Sequence, residues 1–71
     1  MRRDIELMAS LIRTGKLFAE KESNRPLLPE DLPYSLSYRE ATPSDIKYFV
    51  DSPAWFEMLA SGRAFFAGRN E

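Results

Sequence analysis

TPSDIKYFVDSPAWFEMLASG, residues Thr42 to Gly62, holds two helix starts, the only tryptophan and the densest run of large apolar side chains in the chain. Thr42-Pro43-Ser44-Asp45 reads as a helix N-terminus. The Thr42 hydroxyl is placed to accept from a backbone N–H two or three residues on. Pro43 takes the first helical position, where its missing N–H costs nothing. Asp45 falls at the third position, where its carboxylate reaches back to the Thr42 N–H and favours the positive end of the helix dipole. Ile46, Phe49 and Val50 then form one apolar stripe at i, i+3 and i+4.

The same signal returns at Ser52-Pro53. Proline disfavours helical dihedrals in the residue before it, so the first of these helices is expected to stop near Asp51 and a second to start at Pro53. Gly62 suits the left-handed residue that closes a helix. The connection leaves no room for a loop, so a steep crossing is expected. Trp55, Met58 and Leu59 share one side of the second helix, and Phe56 and Ala60 widen it. That face belongs in a core or against a partner, and the core is the expectation.

Working back towards the N-terminus, Ile5, Leu7, Met8, Leu11, Ile12 and Phe18 fall on one side of a helical wheel. Gly15 lies within that side. Because Phe18 stays in phase, a helix continuing through Gly15 to residue 20 is expected, with a helix end at Gly15 as the alternative. Leu11 to Ala19 echoes Met58 to Phe66: an apolar pair, a small hydroxyl residue, glycine, a cation and phenylalanine. Shared glycine chemistry accounts for this without a duplicated unit.

Residues 21–33 contain Pro26, Pro29 and Pro33, which exclude regular helix. Leu27, Leu28 and Leu32 are expected to pin this stretch over the helices. The alternative offers Pro26-Leu27-Leu28-Pro29 to a partner groove. Tyr34, Leu36 and Tyr38 alternate with Ser35, Ser37 and Arg39, the one strand-like pattern found. It reads as an extended arm, or as a strand that pairs with a second copy. The expected fold is therefore mainly α: one small three-helix domain over 1–71. Its helices span 3–20, 43–51 and 53–66, joined by a Pro-rich connector over 21–41 with one short extended segment, and 67–71 fray. The expected core is Ile5, Met8, Leu11, Ile12, Phe18, Ile46, Phe49, Val50, Trp55, Met58 and Leu59.

Tyr38-Arg39-Glu40-Ala41-Thr42-Pro43-Ser44-Asp45-Ile46 resembles the opening strand and helix cap of the N-acetyltransferases that use acetyl-CoA. The resemblance covers nine residues. That family's later glycine-rich turn has no counterpart here, so the match is read as generic strand-to-helix capping, and no activity or site residue is carried over.

Seventy-one residues with neither cysteine nor histidine have no disulfide, no thiolate metal site and no imidazole base. No Ser–His pair is possible, no metal-site spacing is present, and the glycines are too scattered to cradle a phosphate. Neither an enzyme nor a cofactor or metal is expected. A formal charge of −1 argues against a duplex nucleic-acid binder. The helix of Trp55 offers no cation or amide to read a base edge. No apolar run reaches the roughly 18 residues of a membrane span. Asp4 and Glu6 interrupt the basic N-terminus, so a cytoplasmic protein without a secretion signal is expected. Chains this short bury only about 60% of their unfolded surface, which favours a partner. The expected function is a small interaction or regulatory protein that docks on a larger macromolecule. A phage or bacterial modulator of a transcription or replication machine is the kind of protein expected, and a homodimer remains open. Candidate contacts are Arg2, Arg3, Arg13 and Lys16 on the first helix, with Leu27, Leu28, Tyr34 and Tyr38. The alternative is a nucleic-acid accessory protein using the basic face.

Overall fold

A computed structural model of the protein describes residues 3–69. Arg2 and the last two residues of the expected tail lie outside the described residues. The first helix, α1 (Arg3–Arg13), buries Met8 and Leu11, and Leu7 and Ile12 pack against the core. It does not continue to residue 20. The Gly15 N–H donates to the Ile12 carbonyl at 3.1 Å and the Lys16 N–H to the Leu11 carbonyl at 2.8 Å. Gly15 has φ 73°. Crossed bonds around a left-handed residue close a helix, and only glycine takes that backbone without strain. The phase of Phe18 is incidental. Leu17, which a continued helix would place on the polar side, is fully buried.

Beyond Gly15 the chain becomes a strand. A three-stranded antiparallel sheet replaces the single extended segment expected, within a fold that is otherwise mainly helical. β1 (Phe18–Glu20) is central, between β2 (Pro26–Leu27) and β3 (Tyr38–Glu40). Phe18 faces Leu27 on one side and Glu40 on the other, and Ala19 faces Pro26 and Arg39. The turn from β1 to β2 uses Asn24 at φ 58°, a residue type that tolerates the left-handed region. Its N–H donates to the Glu20 carbonyl at 2.8 Å.

The connector is therefore structured. Leu27 and Leu28 are buried, as pinning requires, and Leu32 is half-buried. Pro29–Tyr34 forms a 3₁₀ helix. The prolines exclude an α-helix but not this tighter winding, where Pro29 opens the first turn. The Asp31 carboxylate accepts the Leu28 N–H at 2.9 Å. Pro43–Asp45 repeats the arrangement: the Thr42 N–H donates to Asp45 Oδ2 at 2.8 Å, as the capping pattern predicts. Both turns are X-Pro-X-Asp.

Pro43–Asp45 is itself 3₁₀ and leads directly into α2 (Ile46–Phe49), so the expected helix over 43–51 is a composite that ends at Phe49. After three intervening residues α3 (Pro53–Ala60) begins, with Ser52 extended at its N-terminus and no side-chain cap bond. Gly62, at φ 81°, splits the expected helix over 53–66 and starts α4 (Arg63–Arg69), so residues 67–69 are helical rather than frayed. α4 packs on α1 and α3.

The core centres on Trp55 and Phe49, with Met8, Leu11, Leu17, Leu28 and Met58 around them. Trp55 Nε1–H donates to Asp4 Oδ2 at 3.2 Å, which ties α3 to α1 and satisfies the indole donor. The expected core members Ile5, Ile12, Phe18, Ile46, Val50 and Leu59 are only half-buried. Among the described residues no helix is long and apolar enough to cross a membrane.

Candidate functional site

Residues 34–40 alternate between exposed and half-buried, one residue at a time. The side that faces out is the apolar one. Tyr34 is 88% exposed, Leu36 100% and Tyr38 43%. Ser35, Ser37 and Arg39 face the protein. Period two is obeyed, but with the polarity of an ordinary half-buried strand reversed.

Named bonds hold the segment in this sense. Ser35 Oγ donates to Glu20 Oε2 at 3.2 Å. The Lys21 N–H donates to the Ser37 carbonyl at 3.0 Å. Arg39 spans both oxygens of Asp45, each at 2.9 Å. Tyr38 lies edge-on to Phe18, with ring centroids 5.8 Å apart, so β1 fixes its ring. Tyr34 ends the 3₁₀ helix, and Leu36 sits in the bend between that helix and β3.

The inward carboxylates are shifted by these contacts. Hydrogen bonds from Arg39 hold the Asp45 carboxyl at about 2 against the cost of burial, with further help from the Thr42 N–H. The Glu20 carboxyl is also lowered, first by the Ser23 hydroxyl at 2.6 Å, against burial, and then by Arg25 and Ser35. A third hub lies nearby. Arg63 meets Asp31 at 2.5 Å, Glu57 at 2.6 Å and Glu30 at 3.2 Å. It fastens the 3₁₀ helix of Tyr34 to α3 and α4.

The other candidate contacts are scattered. Leu27 and Leu28 are buried. Arg3 and Arg13 are exposed but ten residues apart on α1, about 15 Å along its axis. Lys16 Nζ donates to the Ala67 carbonyl at 3.4 Å, near the C-terminal end of α4. Among the described residues, Arg3 stands apart from Arg13 along α1, while Tyr34 and Tyr38 are both exposed on the outward side of one segment. Leu36 joins them, as its place in the alternation signals. The inward roles of Glu20 and Asp45 carry no such signal.

Tyr48, Phe56, Phe65 and Phe66 are also exposed, on α2, α3 and α4. None of them belongs to a segment whose polar residues are turned inward. Among the described residues, no group of three or more acidic, histidine or cysteine side chains is placed to hold a metal ion. Compared with protein-family models, curated proteins and solved structures, the chain finds no match in any of the three.

Proposed function

We propose that this chain is a small interaction protein that docks on a larger protein through Tyr34, Leu36 and Tyr38. The reading rests on one observation: a segment with period-two patterning presents its aromatic and aliphatic side to solvent and its serines and arginine to the protein. Two tyrosines flanking an aliphatic residue match the side-chain chemistry enriched at the anchoring centre of protein interfaces. The segment is bonded to β1 and to the turn before α2, so little ordering entropy is lost when it docks. The separation of Arg3 from Arg13 gives the nucleic-acid reading no matching support.

The test pairs the wild-type chain with a Tyr34→Ser/Leu36→Ser variant. Sedimentation first separates self-association from binding to another protein. Affinity capture from a cell extract then compares the two. The reading predicts a specific protein retained by the wild type and lost with the variant, while a doubly substituted Arg3→Gln/Arg13→Gln chain retains it. Equal retention by the serine variant overturns it, and a wild-type dimer dissolved by these substitutions would give the surface to a second copy.

A further inference from the structure

A cleft of about 560 Å³ opens between the β1–β2 turn, β3 and the corner that joins α2 to α3. Arg25, Arg39, Asn24, Tyr48 and Ser52 line it, with Asp45 at its inner wall. Its volume lies in the range of small-ligand sites. We propose that it binds a small phosphate-bearing molecule, with the phosphate held between Arg25 and Arg39. The inference is independent of the docking surface.

The two guanidiniums are held from behind. Arg25 meets Glu20 through Nε at 3.2 Å, and Arg39 spans Asp45. Each carboxylate fixes its arginine and takes two of the five N–H donors, leaving the rest of a positioned fork. Arg39 spends one more on the Glu40 carbonyl at 3.3 Å. The side chains stay 52% and 39% exposed, so the remaining donors are reachable.

What remains decides the ligand. Glu20 takes the Nε edge of Arg25 and Asp45 the terminal-nitrogen edge of Arg39, so each guanidinium keeps donors on its other edge. Two separate arginines lining one cleft can each donate to a different oxygen of a tetrahedral dianion, whereas one of them satisfies a planar carboxylate. Among the described residues, the side chains of Asn24, Tyr48 and Ser52 have no hydrogen-bond partner, so they add three neutral donors. The N-terminal end of α3, at Ser52 and Pro53, lines the same cleft and adds a favourable dipole.

The test is an amide and arginine-side-chain NMR titration at constant ionic strength and pH 7.5. Inorganic phosphate, glycerol 3-phosphate and acetate are the probes. The proposal predicts saturable shifts centred on Arg25, Arg39 and Ser52 with both phosphate probes, and weaker binding of acetate. Arg25→Gln should weaken phosphate about tenfold, the scale of one charged hydrogen bond, and Tyr48→Phe about threefold. Arg13→Gln, which removes a cation that does not line the cleft, should leave it unchanged. Shifts that never saturate, acetate binding as tightly as phosphate, or equal weakening by Arg13→Gln would each overturn the site. Should Arg25→Gln fail to fold, the wild-type titration and Tyr48→Phe still decide it.

Discussion

The corner from Thr42 to Gly62 and the segment from Tyr34 to Glu40 both carry a regular apolar pattern, and the fold uses the two in opposite senses. The corner turns Phe49, Trp55 and Met58 into the core. The segment turns Tyr34, Leu36 and Tyr38 out. The difference lies in the polar halves. Opposite the segment stand two fixed carboxylates, Glu20 and Asp45, which take bonds from Ser35 and Arg39. The bonds to these carboxylates hold Ser35 and Arg39 on the inner side, and the alternation then leaves Tyr34, Leu36 and Tyr38 outside. On α3 the carboxylate of Glu57 meets Arg63 at the exposed surface, and the apolar face of the helix points inward.

The comparison breaks first at Trp55. Trp55→Ala should cost about 3–5 kcal/mol, which leaves a chain of this size largely unfolded at 25 °C, as circular dichroism would register. Asp45→Asn should cost less, about 2 kcal/mol in chemical denaturation, because it removes the charge that Arg39 spans. Its pH signature sharpens the claim. The Asp45 carboxyl sits at about 2 when folded, below its ordinary 3.8. A lowered carboxyl stabilises the fold above its unfolded value, and that contribution is lost as pH falls through the folded one. Wild-type stability should therefore drop between about pH 4 and pH 2, and Asp45→Asn should flatten that slope. Gly15→Ala and Gly62→Ala should each cost about 1 kcal/mol, read from the shift in denaturation midpoint. Their similar size follows from their shared left-handed backbone and the absence of a close clash for an added Cβ at either.

Where signals were local, the sequence could be read. Thr42-Pro43-Ser44-Asp45 announces its cap, Ser52-Pro53 a new helix and Gly62 an end, because each acts within four residues. The sheet was not legible. Strands of two and three residues are too short for period two to stand out, and Phe18 falls in helical phase by chance. The Gly15 end hid behind that phase, although its echo at Gly62 pointed to the same chemistry. The alternation from Tyr34 to Arg39 was visible, but not which side faced in. That depends on Glu20, fourteen positions before Tyr34, and on Asp45 beyond the next turn. The bond between Trp55 and Asp4 joins residues 51 apart, and no spacing rule reaches that far.

The smallest expected effect gives the sharpest test. Equilibrium unfolding of Leu36→Ser against the wild type asks directly whether the segment is turned out. A fully exposed leucine should be replaceable with a change within about 0.5 kcal/mol. A loss of about 2 kcal/mol or more would place Leu36 in a core, and the reversed polarity of residues 34–40, with the docking surface built on it, would fall.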